Sequence, residues 1–336
     1  MLSLRHDPSL CLSCGSYDCL TRCQYMSLSR EEAEEEVRKL VAGGDSRVLR
    51  DCVTCYACEE YCTRGNYPFY FICEERERRG ISTAPRPIVK QWVQLAIPMG
   101  EAPRKIEGKR MLSLCFFPGM EKHVAGRLFE GLEAVMGRHV FCNLVYLHFA
   151  RPSLIKERLP KVVEAIAQHG VEEVVFFHDE CYSTFTHYAR AIGLEVPFKP
   201  VHLFEYLYRR LKELEDEIRP LGLKVAYQRP CSSRLTPEKE HWVDDIFRLI
   251  GVERVPRRYD RDNALCCGSI FKLMGRYELM LDVQRRNLQD MVDHGAQACV
   301  FNCPNCYWTL SDRVAKLGIR PLMMSDLCRM AIGEEV

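Results

Sequence analysis

Several features that mark common protein classes are missing from this 336-residue sequence. Its 47 Lys and Arg residues nearly balance its 46 Asp and Glu residues, so it lacks the basic excess typical of nucleic-acid-binding proteins. It has no apolar run of about 18 residues, and residues 1–10 contain no apolar stretch typical of a secretory signal. A glycine-rich dinucleotide fingerprint and a flavin motif are also absent. We therefore expect no nucleic-acid partner, no membrane span and no export, and we expect any flavin or haem to belong to a partner.

Cysteine, by contrast, is abundant, with 19 residues. In a secreted chain such a number would indicate a disulfide framework. In a chain without an export signal, clustered cysteines more often bind metal or carry out redox reactions. The cysteines here do cluster, in one group before residue 63 and another in the last third. This pattern favours metal binding and a cytoplasmic location, with docking on the inner face of the membrane through a partner left open.

The composition changes along the chain and indicates an α+β protein of several parts. Residues 1–80 are polar and rich in cysteine, and residues 81–110, which include Pro98 and Gly100, have the composition of a linker. From residue 111 onward, strand and amphipathic helix patterns alternate, which is typical of parallel sheets covered by helices. The predicted strands are 111–117, 172–177, 223–227 and 297–301, and the predicted helices are 122–136, 154–168, 182–192, 203–217, 237–250 and 276–293.

The part after residue 110 also repeats itself. Residues 170–182 align with residues 295–307 at a shift of 125 residues, and the register continues without a gap to Gly193 and Gly318. Cys142 falls on Cys267 at the same shift. We therefore predict two tandem α/β halves, residues 111–220 and 221–336, related by duplication.

The first cysteine group consists of two similar four-cysteine runs, Cys11, Cys14, Cys19 and Cys23, then Cys52, Cys55, Cys58 and Cys62. Short spacing lets one loop surround most of a cubane cluster, and the fourth cysteine of such a run usually binds the other cluster. We therefore predict two [4Fe–4S] clusters, the first held by Cys11, Cys14, Cys19 and Cys62, the second by Cys52, Cys55, Cys58 and Cys23. Zinc is the alternative, although structural zinc sites usually combine cysteine pairs a dozen or more residues apart. The usual proline after the fourth cysteine is absent, with Gln24 and Thr63 in its place.

A helix is predicted between the two runs. Ser29 and Glu32 form a capping-box pattern, and the helix that they open should run to Gly43 and Gly44. A helix at this place argues against a small β-rich bacterial ferredoxin. It favours a helical ferredoxin domain of the kind found in electron-transfer subunits of larger reductases.

The second cysteine group comprises Cys231, Cys266, Cys267, Cys303 and Cys306. Its long gaps place the ligands on separate loops at the carboxyl ends of strands, where open α/β sheets bind their ligands. Adjacent thiols such as Cys266 and Cys267 cannot share a tetrahedral zinc ion without strain, but they can reach different irons of a cluster. Gly268 would let the backbone approach the metal. The alternative is a thioredoxin-like pair formed by Cys303 and Cys306.

These five cysteines, with Gly268, resemble the cysteine-rich CCG domain of heterodisulfide reductases. A two-cluster helical ferredoxin followed by a CCG domain resembles the fused catalytic subunit of the heterodisulfide reductase D type. It also resembles the cytoplasmic catalytic subunit of sulfite-reduction-associated membrane complexes, which places the chain with proteins of anaerobic metabolism. The resemblance covers nearly the whole chain. It implies that the five cysteines bind a noncubane [4Fe–4S] cluster that reduces a disulfide, and that they are the catalytic residues.

Two departures from the family pattern stand out. The family often flanks the first cysteine with histidines, whereas Gln228 and Ser232 stand near Cys231. The first half has lost most of the motif: at the shift of 125, Phe141, Asn143 and His178 stand where the second half has Cys266, Gly268 and Cys303, and Met120 is the expected replacement for a lost cysteine.

The side chains left in the first half have two interpretations. Cys142, His178 and Cys181 either retain a metal ion such as zinc or are relics lining a substrate cleft. His178 is either a proton donor to a nascent thiolate or a structural histidine. The remaining cysteines, by their apolar surroundings in the sequence, are expected to be buried small hydrophobic residues: Cys73, Cys115, Cys299 and Cys328.

Two functions from different classes follow. The first is an oxidoreductase that passes electrons through two [4Fe–4S] clusters to a noncubane cluster, which reduces a disulfide or a related sulfur compound. The second is an electron-relay or anchoring subunit of a flavin dehydrogenase complex without sulfur chemistry of its own, which the degenerate first half favours. The complete set of five cysteines in the second half favours the oxidoreductase function. Either function requires an electron-donating partner such as a flavoprotein, a hydrogenase or a membrane cytochrome. A purely structural zinc protein is a third, weaker alternative.

Overall fold

Helices make up the regular structure of the cysteine-rich N-terminal part in the computed structural model, which describes residues 4–95 and 103–336. These helices are α1 (Pro8–Leu12), α2 (Asp18–Thr21), α3 (Arg30–Val41), α4 (Val48–Asp51), α5 (Ala57–Tyr61), α6 (Pro68–Arg78) and α7 (Arg86–Leu95). The predicted capping box is confirmed at α3, where the Ser29 hydroxyl accepts from the Glu32 N–H and the Glu32 carboxylate accepts from the Ser29 N–H.

Helix α7 lies inside the stretch that was predicted to be a linker. It forms there because Ile88, Trp92 and Val93 pack against the apolar core of the first sheet. Pro98 and Gly100, on which the linker prediction also rests, lie outside the described residues. The predicted boundaries of the parts stay a prediction.

Two four-stranded parallel sheets follow, as the α+β prediction requires. The first contains β1 (Arg110–Ser113), β2 (Glu133–Val135), β3 (Glu173–Phe176) and β4 (Lys199–His202) in the order β2-β1-β3-β4. The second contains β5 (Lys224–Gln228), β6 (Glu253–Arg254), β7 (Ala298–Phe301) and β8 (Arg320–Met323) in the order β6-β5-β7-β8. The two orders match, which agrees with the predicted duplication; the duplication itself stays a prediction.

Helices cover both sheets. The α-helices are α8 (Val145–His148), α9 (Pro152–Ala167), α10 (Asp179–Ser183), α11 (Ala189–Ala191), α12 (Leu203–Glu213), α13 (His241–Leu249), α14 (Ser269–Leu273), α15 (Tyr277–Asp293), α16 (Pro304–Lys316) and α17 (Met324–Ala331). A π-helical turn at Thr184–Tyr188 joins α10 to α11, and 3-10 turns lie at Glu121–Val124, Arg127–Phe129, Arg138–Val140, Glu215–Glu217, Cys231–Leu235, Pro237–Glu240 and Arg261–Asn263.

The predicted helix over 122–136 is wrong. Two 3-10 turns and strand β2 occupy this stretch, because Gly126 and Gly131 adopt φ angles of +90° and +74°, which interrupt a helix. Strands β4 and β8 were not predicted. Each lies at the edge of its sheet and contains a proline, Pro200 or Pro321, which weakens the strand pattern in the sequence.

The arrangement of the strands positions the functional loops. Cys115 follows β1, His178 and Cys181 follow β3, Cys231 follows β5 and Cys303 follows β7, so all lie at the carboxyl ends of the central strands of their sheets. Within the described ranges, no helix is long and apolar enough to cross a membrane.

Candidate functional site

The structure brings together the first predicted set of cluster ligands, including the cysteine from the distant second run. Asn66 links the two runs, because its side-chain amide donates to Cys11 Sγ at 3.2 Å while its backbone N–H donates to Cys62 Sγ at 3.3 Å. Burial, followed by the charges of Cys62 and Cys11, raises the pKa of Cys19. The side chains of Cys11, Cys14, Cys19 and Cys62 therefore lie near one another, and their binding of one shared cluster stays a prediction.

The second predicted set surrounds a small cavity beside the first. Cys23, Cys52, Cys55 and Cys58 line this cavity together with Cys19 and apolar side chains such as Leu20 and Phe69. Burial, and then the charge of Cys52, raises the pKa of Cys23 to about 11. A low-dielectric pocket lined by thiols suits a group that is bound through sulfur.

The spacing of these eight sulfurs bears on the choice between cubane clusters and zinc. Sulfurs on one tetrahedral zinc ion lie about 3.8 Å apart, given Zn–S bonds of about 2.3 Å. In the part of the chain that the structure describes, only one group of three His, Cys, Asp or Glu side chains has its ligand atoms within 4.8 Å of one another, and it includes none of these eight cysteines. Among the described residues, these eight sulfurs therefore form no group of three as tight as that one.

The five cysteines of the second group form a continuous row of sulfur contacts between loops of the second sheet. Hydrogen bonds join neighbouring thiols in the order Cys231, Cys266, Cys267, Cys306 and Cys303. All except the partly exposed Cys231 are buried. Every one of the 19 cysteines is a free thiol. The row therefore offers five sulfur donors from three loops, a donor set that suits a metal cluster.

The electrostatics of the row favour thiolates at two of its members. Hydrogen bonds from Cys231 and Cys267 hold the pKa of Cys266 well below its ordinary value. A hydrogen bond from Cys306, together with the charge of His178, lowers the pKa of Cys303 to about 6. Thiolates are the forms that bind metal.

A buried amide network holds the loop that carries the adjacent cysteines. Gln228 donates to the Leu265 carbonyl at 3.0 Å and accepts from Asn287 at 2.6 Å, and Gln284 donates to the Cys267 carbonyl at 2.8 Å. Gln228, a departure from the family pattern, thus has a structural function here. Gly268 has a φ of +87°, and a Cβ there would lie 2.8 Å from Met280 Cγ, so close packing against α15 also requires glycine.

The first half contains a sulfur site in which Cys115 takes the place that the sequence analysis gave to His178 beside Cys142 and Cys181. Cys115, Cys142 and Cys181 are buried with their Sγ atoms all within 4.8 Å of one another. The sequence analysis gave Cys115 as a buried hydrophobic residue and Met120 as the replacement for a lost cysteine. In the structure, Met120 packs in a different apolar cluster from the one that contains Cys115. The signal that could have identified Cys115 is its place directly after β1, which corresponds to that of Cys231 after β5.

His178 does not complete this group as predicted, because it lies between the two sulfur sites. Its Nε2 is 3.3 Å from Cys303 Sγ, and its Nδ1 is 4.0 Å from Cys181 Sγ. Burial lowers the pKa of His178, but the charge of Cys303 and the hydrogen bond to Cys303 outweigh this effect and raise the pKa to about 10. The structure therefore pairs His178 with the second half.

The second set of four cysteines lies next to the five-cysteine row. The Cys266 N–H donates to the hydroxyl of Tyr25 at 3.0 Å, two residues after Cys23. Cys55, Cys231 and Cys266 line one cavity.

A buried ion cluster clamps this junction. Glu60 of α5 accepts from both Arg229 at 2.9 Å and Arg234 at 2.6 Å. Both guanidinium groups are buried, so the contact between the N-terminal part and the second half is fixed by paired charges.

Comparisons with known proteins agree with the nature of this site. Residues 225–311, which include all five cysteines of the row, match the family model of the CCG cysteine-rich domain. The D-type polypeptide of the dihydromethanophenazine:CoB–CoM heterodisulfide reductase from Methanosarcina acetivorans is 28% identical over 163 residues. The match covers 47% of this chain and 39% of that protein, so the chain spans about two fifths of the length of its relative. The chain is therefore similar over part of its length to a heterodisulfide reductase polypeptide, and its residues 225–311 match the CCG cysteine-rich domain.

A solved structure shares the fold over a longer range. The crystal structure of a hypothetical protein from Helicobacter pylori aligns with 92% of this chain and 74% of its own, with a TM-score of 0.58 and 13% sequence identity. At this identity the similarity supports the fold alone.

Proposed function

We propose that the chain is an oxidoreductase subunit that carries electrons from two [4Fe–4S] clusters in its N-terminal part to a noncubane [4Fe–4S] cluster in its CCG domain, where a disulfide or related sulfur substrate is reduced. The two four-cysteine sets would hold the cubanes, and the five-cysteine row would hold the third cluster. When bound, these clusters would supply one-electron transfer and the two-electron reduction of an S–S bond. A flavoprotein, hydrogenase or membrane cytochrome would supply the electrons.

The observation that carries this proposal is the contact between Tyr25 and Cys266. The Cys266 N–H donates to the Tyr25 hydroxyl, and Cys55 and Cys231 lie on the walls of one shared cavity, which supports electron transfer from the second set of four cysteines to the row. A pure relay subunit needs only cluster-to-cluster proximity. A row of five free thiols that is complete and adjacent to an electron donor supports chemistry at the row itself.

The protein's own residues would organise the reaction. Glu60, Arg229 and Arg234 fix the N-terminal part against the second half. Gln228 and Gln284 hold the loop of Cys266 and Cys267. Reduction of R–S–S–R′ consumes two electrons and two protons and releases RSH and R′SH, and His178 holds a proton beside Cys303.

An anaerobic disulfide reduction assay tests the proposal. The purified chain, supplied with a reduced viologen, should reduce a mixed disulfide of two small thiols and release both as free thiols. Cys303→Ser should lower turnover by about 10²-fold or more. The matched variant Cys299→Ser removes a buried thiol that lies on β7 outside the row, and it should retain turnover. A wild-type chain that accepts electrons but reduces no disulfide, trisulfide or other sulfur compound would favour the relay function.

A further inference from the structure

The five-cysteine row has two ends that lie in different surroundings. Near one end, the Cys266 N–H donates to the Tyr25 hydroxyl at 3.0 Å, so the N-terminal part covers the row there. At the other end, Cys303 Sγ lies 3.3 Å from Nε2 of His178, a residue of the first half. Under the proposed function, electrons reach the row from the N-terminal part. The Cys303 end is therefore the one left for a substrate.

Two aromatic side chains lie between the Cys303 end and solvent. We propose that Phe117 and Trp308 form the mouth of the disulfide site and bind an uncharged apolar arm of the substrate, by preference an aromatic one. This inference rests on the proposed function and names the class of disulfide that the row reduces. The two rings supply apolar area and aromatic faces without a charged group, which matches an arm of the same character.

Ring contacts connect this pair to the reacting sulfur. The Phe117 ring packs edge-on against the His178 imidazole, with centroids 4.9 Å apart and ring planes at 77°. The Trp308 ring lies 5.8 Å from the Phe117 ring, at a tilt of 58°. Since His178 Nε2 is 3.3 Å from Cys303 Sγ, successive contacts lead from the indole to the last thiol of the row.

Exposure to solvent increases along the same contacts. Cys303 and His178 are buried, Phe117 is half-buried and Trp308 is 47% exposed. Trp308 lies on α16, whose N-cap is Cys303 and whose first turns also carry Cys306, so the helix that positions two thiols of the row also positions the indole. A bound arm would remove the exposed face of this indole from water, which favours binding.

The loop that carries Phe117 has a fixed conformation. Cys115 and Gly119 flank this ring with φ angles of +54° and +82°, and a left-handed non-glycine residue such as Cys115 persists where its surroundings impose it. The Cys115 carbonyl accepts from the Gly137 N–H at 2.9 Å, which ties the loop after β1 to the loop after β2. A ring that is held in place before binding lowers the entropic cost of binding an arm.

A comparison of two disulfides tests the inference on the full-length protein, purified without oxygen. Both are mixed disulfides with a hydroxyethyl thiol; one has a benzyl group as its second arm, and the other has a carboxyethyl group. With a reduced viologen as electron donor, kcat/KM for the benzyl disulfide should exceed that for the carboxyethyl disulfide at least about tenfold.

Variants of Trp308 assign this preference to the indole. Trp308→Ala should lower kcat/KM for the benzyl disulfide about tenfold, mainly by raising KM, because binding of the arm contributes equally before and during the reaction. The value for the carboxyethyl disulfide should stay within about twofold, and the iron content should not change. Trp308→Phe keeps an aromatic face and should restore most of the preference.

Two further variants locate the mouth. Leu317, the C-cap of α16, is also 47% exposed but lies about 14 Å along the helix from Trp308, so Leu317→Ala should keep the preference. Phe117→Leu should weaken it. Because Phe117 also contacts His178, this variant is judged by the ratio of the two kcat/KM values, in which a general loss of turnover cancels.

The outcomes separate this inference from the proposed function. A wild-type chain that reduces both disulfides without preference, or that prefers the charged arm, would overturn the aromatic mouth and leave disulfide reduction standing. A preference that survives in Trp308→Ala would do the same. A wild-type chain that reduces neither of these disulfides, nor a mixed disulfide of two small thiols, would contradict disulfide reduction itself and this inference with it.

Discussion

His178 Nε2 lies 3.3 Å from Cys303 Sγ, and the two residues occupy equivalent positions of the sequence repeat. The preceding residues are also at equivalent positions of the repeat and also in contact, because the Asn302 side-chain amide donates to the Phe177 carbonyl at 3.3 Å. Such contacts between equivalent positions agree with the duplication, which stays a prediction. They set an imidazole from the loop after β3 against a thiol from the loop after β7.

The contact predicts a function for His178 in proton delivery. His178→Gln keeps a hydrogen-bond donor near Cys303 but removes the group that can carry the proton, so disulfide turnover should fall by about 10²-fold with the iron content unchanged. The pH profile of turnover should also lose one limb. The measurement is anaerobic turnover between pH 5 and 10, with His187→Gln, a histidine on the π-helical turn, as the control. Unchanged turnover in His178→Gln would assign this histidine a purely structural role.

The ligand assignment of the row predicts a loss of iron from one site only. Cys266→Ser removes the second thiolate of the row, which hydrogen-bonds both Cys231 and Cys267. We expect a loss of about four irons per chain, while the eight irons of the cubanes and their spectra persist. Iron analysis with electron paramagnetic resonance checks this, and Cys299→Ser should behave like wild type. A full iron complement in Cys266→Ser would remove this cysteine from the ligand set.

The junction predicts a role for the Tyr25 hydroxyl in electron transfer. Tyr25→Phe deletes the acceptor of the Cys266 N–H and leaves a buried donor unpaired, which should cost about 1–3 kcal/mol of folding stability. Electron transfer from the cubanes to the CCG site should become slower, while reduction of the cubanes by dithionite should not. Rapid-mixing spectroscopy separates the two steps. The control is Tyr70→Phe, because the buried hydroxyl of Tyr70 has no partner among the described residues. Equal rates in both variants would contradict this role.

The ion cluster at the junction predicts a large change in stability. Glu60→Ala leaves the buried Arg229 and Arg234 without their shared carboxylate, which should lower the free energy of unfolding by about 3–5 kcal/mol. Glu34→Ala breaks an exposed ion pair with Arg38 and should change the free energy of unfolding by about 1 kcal/mol or less. Denaturant unfolding of the anaerobic protein makes the comparison. A loss below 1 kcal/mol for Glu60→Ala would show that the remaining pair of Arg229 with Glu240 suffices.

Local sequence patterns predicted the parts of the fold that depend on neighbouring residues. The capping box at Ser29 is formed within four residues, so the local sequence reveals it. Strands β3, β5 and β7 are short apolar runs, because they are buried on both faces, and such runs are also visible in the sequence. The predicted helix over 122–136 failed because two glycines with positive φ interrupt its periodicity. Edge strands β4 and β8 were missed because each is short and contains a proline.

Spacing along the chain indicated which cysteines could bind metal, and tertiary contacts determine what the sequence analysis missed. The two four-cysteine runs lie close together in the structure, and their division into two ligand sets stays a prediction. Cys115 was not predicted, because the strand predicted over 111–117 included it, whereas β1 ends at Ser113 and leaves Cys115 in the loop that follows. The partner of His178 was not predicted either. Only the meeting of the two halves places His178 against Cys303.

One measurement tests the central proposal most directly: the iron content of the anaerobically purified chain, with its electron paramagnetic resonance spectrum recorded before and after addition of a thiol. Three four-iron clusters predict about 12 irons per chain and a thiol-responsive signal distinct from those of the two cubanes. About 8 irons per chain, with no signal that responds to thiol, would contradict disulfide chemistry at the CCG domain and leave an electron-relay subunit.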